Sequence, residues 1–250
     1  MENEHGRQRS CLVVGASGAI GSAVVRRLAR KETTMGLHCF KNPGSVASLC
    51  RDLGIDANRG HIFQADLGSE KACSGLVAEC RQALGSLDLL AICHGDVGWK
   101  GWRDLEWADW ETIFRQHCLA AYTLATHALP SMIAAGFGRI VYLSSIAPKY
   151  AGSSRSIHYA AAKGALEIAM RGLAREVART GVRINGVRAG FVMTPQQRTG
   201  RTEEEQEERI AKIPLGRAGK TNEIAAAFEY LMSDDADFIT GEIITVAGGD

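Results

Sequence analysis

The 250-residue chain has almost no net charge: 29 basic and 28 acidic residues leave +1. Gripping a polyanion takes a basic face, so nucleic acid is not an expected partner. Prolines number only 5 and no low-complexity tract occurs, which argues against extended disorder. No apolar run approaches the roughly 18–20 residues that span a bilayer, so no membrane partner is expected. The seven cysteines include no CxxC pair, so a structural zinc site has no spacing support. The Cys/His doublets, Cys93–His94 and His117–Cys118, would send successive side chains to opposite faces of a strand. No metal site is expected. An odd cysteine count suits a reducing compartment. The opening MENEHGRQRS lacks the apolar core of a signal peptide, and a cytoplasmic location is expected.

What is present is a large apolar fraction, 46%, enough for one sizeable core. Strand-like segments at 11–15, 36–40, 61–65, 87–93, 139–144, 182–188 and 242–246 alternate with helical patterns. Those patterns cover 20–30, 46–53, 70–84, 107–135, 159–180 and 222–231. Strands separated by helices of this length predict βαβ units and a parallel sheet. The fold class predicted is α/β, one doubly wound domain over 1–250, with a seven-stranded parallel sheet and helices on both faces. Residues 1–9 read as a flexible tail.

Directly after the first strand comes Gly15-Ala16-Ser17-Gly18-Ala19-Ile20-Gly21, followed by the helical SAVVRRLAR. Small residues at such a turn let backbone N–H groups approach a pyrophosphate at a helix N-terminus. Asp66 closes the third strand, where a carboxylate accepts from an adenine amino group or, alternatively, caps the next helix. The end of the second strand has no acidic residue for a ribose 2′-hydroxyl. Lys41 stands there instead and suits a 2′-phosphate, or is simply a solvated loop charge. NADP(H) is therefore the expected cofactor, with NAD(H) second.

Tyr159-Ala160-Ala161-Ala162-Lys163 puts a phenol and an ammonium at i and i+4 on one helix face. A nearby ammonium lowers a phenol pKa and prepares it for proton transfer with a substrate oxygen. Ser145, at the end of the fifth strand, lies where strand ends line the crevice of a parallel sheet.

With these motifs in order, the chain resembles the classical short-chain dehydrogenase/reductase family, and within it the 3-oxoacyl-acyl-carrier-protein reductase type. The likeness runs from about Ser10 to Asp250 on GASGAIG at 15–21, AD at 65–66, SS at 144–145 and YAAAK at 159–163. VRINGVRAGFVMT at 182–194, IPLGRAG at 213–219 and ITGEIITVAGG at 239–249 extend it. The resemblance implies a Rossmann-type domain and carbonyl reduction by hydride from a nicotinamide. Tyr159 is then the acid/base, Lys163 holds the nicotinamide ribose and lowers the tyrosine pKa, and Ser145 orients the carbonyl. Cofactor contacts are implied for Gly15, Ser17, Gly18, Ala19, Ile20, Gly21, Lys41, Asp66, Leu67, Cys93, Gly95, Gly190, Val192 and Thr194. A substrate lid is implied near 195–215, and a homotetramer is expected, with a dimer second.

The sequence departs from the family at several places. Ala19 stands where the turn usually has glycine. NNAG reads Ile92-Cys93-His94-Gly95. The helix asparagine of the catalytic tetrad aligns with His117, which can titrate near neutrality and join a proton relay, or is a packed helix histidine. PG reads Ala189-Gly190, and DGG reads Ala247-Gly248-Gly249. These changes suggest a reductase of a specialised pathway acting on a 3-oxoacyl thioester, acyl-carrier-bound, or a related β-keto compound. The alternatives are an NAD(P)-linked secondary-alcohol dehydrogenase and a non-catalytic nucleotide-binding partner subunit. All four tryptophans fall within 99–110 and suit a subunit interface or a pocket wall. The acidic run at 203–208 reads as a solvated helix face.

Overall fold

The structure, a computed structural model, describes residues 8–31 and 33–250. Strands β1 (Ser10–Val14), β2 (Thr34–Cys39), β3 (Gly60–Gln64), β4 (Leu89–Ile92), β5 (Gly138–Ser145), β6 (Val182–Ala189) and β7 (Ile243–Val246) form one sheet. Its order is β3-β2-β1-β4-β5-β6-β7, and every pairing is parallel. The order reverses between β1 and β4, where a parallel sheet opens its ligand crevice at the strand C-termini.

β1 shows why the sheet is covered on both faces. All five of its residues are buried. Cys11 and Val13 join the cluster containing Val24, Leu28, Leu37 and Phe228. Leu12 and Val14 join the opposite cluster with Leu76, Leu124, Met132 and Leu166. The two-residue period of a strand feeds both cores at once. Helices α1 (Ala19–Ala29), α2 (Pro43–Leu53) and α9 (Thr221–Leu231) cover the first face. Helices α3 (Glu70–Leu84), α5 (Ala120–Ala134) and α6 (Ile157–Val177) cover the second. Each fully buried Leu or Val contributes about 1.5–3 kcal/mol.

Three expectations need correction. The helix expected over 107–135 is interrupted: α4 (Trp107–Phe114) and α5 flank a π-helical turn, Arg115–Leu119. A π turn frees backbone carbonyls from the α-helical ladder, and the Gln116 carbonyl accepts from His94 Nε2 at 2.9 Å. Arg9, assigned to a tail, is buried and donates to both carboxylate oxygens of Asp234 at 2.7 and 2.9 Å. It stacks on Phe137 with its guanidinium 4.3 Å from the ring centroid, so packing extends at least to this residue. The remainder of the expected tail, 1–7, lies outside the described residues. In the lid region two short helices stand, α7 (Pro195–Gly200) and α8 (Glu203–Ala211). Glu205 in the acidic run is more than a solvated charge: it pairs with Arg155 at 2.9 Å and accepts from the Thr202 N–H at 2.9 Å. Among the described residues, no helix is long and apolar enough to cross a membrane.

Candidate active site

The turn between β1 and α1 is shaped by what its glycines lack. Gly15 has φ +81°, and a Cβ there would meet the His94 backbone at 2.9 Å. A Cβ on Gly21 would lie 2.1 Å from the Gly15 carbonyl oxygen. The first turn of α1 therefore packs directly against the strand end. Gly18 caps α1 without a side-chain acceptor, and no acidic residue stands in the first turn. Ser17 is exposed, and Ala19 and Ile20 are half-buried. Free N–H groups at a helix start in this setting suit a pyrophosphate.

His38 is a site residue that the motifs did not single out. Its Nδ1 accepts from the Gly15 N–H at 3.2 Å and its Nε2–H donates to the Ala65 carbonyl at 3.1 Å. The imidazole thus ties the ends of β1, β2 and β3 together, and the two bonds require its neutral form. Burial lowers its pKa below the usual 6.5. Its one sequence signal is its position, next to last in a strand that is otherwise apolar.

Three cavities follow one another along the C-terminal edge of the sheet. The first, about 420 Å³, is lined by His38, Phe40, Lys41, Asp66, Leu67 and Gly95 among others. Lys41 is exposed, its Nζ 5.0 Å from the Phe40 ring centroid. Asp66 accepts from the Gly68 N–H at 3.0 Å and does not cap the next helix. Ser69 does so, accepting from Ala72 N. The second cavity, about 100 Å³, brings together Ile20, Cys93, His94, Gly95, His117, Ser145, Tyr159, Lys163, Gly190, Val192 and Thr194. The third, about 440 Å³, is walled by Trp99, Tyr150, Phe191 and Arg201, with Ser145 and Tyr159 at its inner end. Nearly all the expected site residues outside the glycine turn therefore line one continuous crevice, because the second cavity shares residues with each of the others. Thr194 also caps α7, accepting from the Gln197 N–H at 3.4 Å.

Tyr159 and Lys163 stand one turn apart near the start of α6, with Lys163 Nζ 5.8 Å from the tyrosine ring centroid. Lys163 is buried and donates to the Leu143 carbonyl at 2.6 Å. Burial brings its pKa down to about 8, against the opposing pull of Cys93 and Glu167. The nearby Glu167 carboxylate is already engaged, accepting from Ser144 Oγ at 2.6 Å and from Arg188 at 3.0 and 2.6 Å. The expectation of a lowered tyrosine pKa is corrected. Burial pushes Tyr159 up to about 12, the Ser145 hydroxyl hydrogen bond works against this, and Asp96 adds to it. At neutral pH the phenol carries its proton, the form in which it can act as an acid.

The setting of His117 is that of the second of its two readings, a packed helix histidine. It is buried, with Nε2–H donating to the Asp96 carbonyl at 2.6 Å, and its ring stands edge-on to Tyr159 with centroids 5.0 Å apart. Burial, then the positive charge of Lys163, hold its pKa well below 6.5. The shift favours the neutral imidazole. It forms the wall behind the phenol. Gly95 makes room for it: a Cβ at that position would lie 2.1 Å from His117 Cε1. His94 is also held down, to about 3, by burial first and Lys163 second.

The tryptophans separate. Trp99 walls the third cavity, Trp110 packs against Phe114 and His158, and Trp102 and Trp107 are exposed. Among the described residues, no group of three or more His, Cys, Asp or Glu side chains is placed to hold a metal ion.

A doubly wound sheet, a glycine turn before α1 and a Ser–Tyr–Lys cluster at the strand ends define this class of protein. The chain belongs to the short-chain dehydrogenase/reductase family, a family of oxidoreductases. A family model described as enoyl-(acyl carrier protein) reductase matches residues 15–250. The chain is 34% identical over 245 residues to an uncharacterised oxidoreductase of Bacillus subtilis, YmfI, with 96% of this chain and 98% of that protein covered. It is 29% identical over 245 residues to the acetoacetyl-CoA reductase of Allochromatium vinosum, with 96% and 98% covered. A crystal structure of 3-oxoacyl-(acyl-carrier-protein) reductase from Agrobacterium tumefaciens with NADP bound superposes with a TM-score of 0.88. That pair shares 28% identity and covers 98% of this chain and 95% of the other.

Proposed function

We propose that this protein is an NADPH-dependent carbonyl reductase acting on a 3-oxoacyl thioester or a related β-keto substrate. The observation that carries the reading is the meeting of Ser145, Tyr159 and Lys163 where the second cavity opens into the third. The residues present fit the nucleotide. Gly15 and Gly21 leave a turn that a Cβ would fill, Asp66 and Lys41 border the outer cavity, and the central cavity reaches Thr194. Lys41 is the group that would meet a 2′-phosphate, and Lys163 the group that would hold the nicotinamide ribose. When bound, NADPH supplies the hydride. Ser145 Oγ, at the end of β5, is placed to donate to the substrate carbonyl oxygen and orient it. Tyr159, protonated because it is buried, gives its phenolic proton to that oxygen as negative charge develops there. Lys163 places a positive charge beside the phenolate left behind, which lowers the cost of the transfer.

A homotetramer goes with this reading. Trp107 and Ile168, 78% and 74% exposed, sit on α4 and α6 and offer apolar surface for helix-to-helix association. A cytoplasmic location also fits, since all seven cysteines are free thiols.

The test is loss of reduced-nicotinamide absorbance with acetoacetyl thioester as substrate. Steady turnover with NADPH is the expected result. Tight NADPH binding with no turnover across a panel of β-keto thioesters, ketones and alcohols would overturn it in favour of a nucleotide-binding subunit.

A further inference from the structure

The third cavity contains a cation that forms no ion pair among the described residues. Arg201, between α7 and α8, is half-buried in the wall of the cavity that Ser145 and Tyr159 close at its inner end. Its guanidinium lies 4.9 Å from the Trp99 ring centroid and 5.7 Å from that of Phe191. Its Nε–H donates to Gln197 Oε1 at 3.1 Å. Among the described residues, no carboxylate lies within ion-pairing distance of it, and its two terminal nitrogens donate to nothing. Its neighbours differ in this respect. Arg209 is paired with Asp250, whose other carboxylate oxygen accepts from Tyr150, and Arg155 is paired with Glu205. Burial and the repulsion of Arg209 and Arg155 lower the Arg201 pKa, with Glu205 acting the other way.

A guanidinium placed over two aromatic rings, bonded at Nε and open at both terminal nitrogens, presents the fork that binds a carboxylate through two parallel hydrogen bonds. Partial burial raises the value of such a pair above that of a surface pair. The cavity of about 440 Å³ is of small-molecule size, and it holds Arg201 and Tyr159 together. An anion bound at Arg201 can therefore belong to the same compact molecule whose carbonyl meets Tyr159. A small keto acid carries its carboxylate within a few atoms of the carbonyl, whereas a long chain separates the phosphate of a pantetheine arm from its thioester.

We infer that Arg201 is a specificity-determining residue, and that the preferred substrate is a small keto acid whose free carboxylate it binds. This rests on the carbonyl-reductase reading and narrows it from β-keto compounds in general to free acids.

The test compares acetoacetate with its uncharged methyl ester, using NADPH and the whole chain. The wild type is expected to favour the acid in kcat/KM by about tenfold to a hundredfold, the worth of one charged hydrogen-bonded contact. In Arg201→Met that ratio falls to near one through a rise in the KM of the acid, and Arg201→Lys restores part of it. A wild-type ratio near one, or a ratio unchanged in Arg201→Met, overturns the assignment. If neither ketone is reduced, calorimetric titration of the NADPH complex with butyrate and with methyl butyrate decides the anion site independently. Tighter binding of butyrate that Arg201→Met abolishes supports the subsite, and equal binding of the two refutes it. Failure of turnover alone counts against the reductase reading and not against Arg201.

Discussion

At the glycine turn between β1 and α1, the groups proposed to meet the nucleotide are mostly backbone. Gly15 and Gly21 bring α1 against β1, and N–H groups without side-chain caps face outward. At the other end, beside α7 and α8, the cavity is made of side chains: Trp99, Tyr150, Phe191 and Arg201. A backbone site constrains the sequence through residues that must be small, and such constraints repeat at fixed spacing. A side-chain site permits many solutions, so it leaves no spacing to read. The nucleotide end is accordingly common to a family, whereas the substrate end belongs to the individual protein.

The largest effect expected at the backbone end is that of Gly21→Ala. Its added Cβ would sit 2.1 Å from the Gly15 carbonyl oxygen, so strand and helix must part. NADPH affinity should fall about a hundredfold, the equivalent of one or two charged hydrogen bonds. Fluorescence titration measures this, and a thermal melt shows that the fold survives. Affinity within twofold of wild type would show that recognition does not depend on this close approach.

A smaller effect is expected at Lys41, the side chain proposed to meet a 2′-phosphate. Lys41→Asp should shift the NADPH-to-NADH ratio of kcat/KM by about tenfold towards NADH, as loss of a charged phosphate contact requires. An unchanged ratio would make Lys41 a solvated charge.

The smallest change in activity is expected at His117. With its pKa well below 6.5, His117→Asn should leave the pH–rate profile above that pH unchanged. Its effect belongs to stability. His38, His94, His117 and His158 are all held below their ordinary pKa, chiefly by burial. Below pH 6.5 the unfolded chain takes up protons that the native state refuses, so stability falls as pH falls, by about 1.4 kcal/mol per pH unit for each proton. Above 6.5 this penalty is absent. Tm measured against pH should drop on the acid side, less steeply in His117→Asn. An inflection near neutrality that disappears in the variant would restore His117 as a proton-relay group.

The same contrast explains what could be read before the structure. The seven strands were legible because parallel strands buried on both faces, such as Leu89–Ile92, are continuous apolar runs. Ser145, Tyr159 and Lys163 were legible because a strand end and one helical turn fix their relation. The π turn at Arg115–Leu119 was not, since residues 107–135 keep a helical pattern through it. It goes with a tertiary contact, the hydrogen bond from His94 to the Gln116 carbonyl. The raised tyrosine pKa is not legible, because spacing shows the adjacent ammonium and not the burial of the phenol. Arg201 is not legible for the reason that makes it informative: among the described residues it has no ion-pair partner, and ion pairs are set by folding.

The most direct measurement is the rate of NADPH oxidation by Tyr159→Phe beside its NADPH affinity. With the phenolic proton gone and the ring retained, kcat should fall by about 10²–10⁴, the usual worth of a positioned general acid. NADPH affinity should stay within about threefold, less than the tenfold that 1.4 kcal/mol would bring. A variant that reduces β-keto substrates at the wild-type rate would contradict the assignment of Tyr159 as the proton donor.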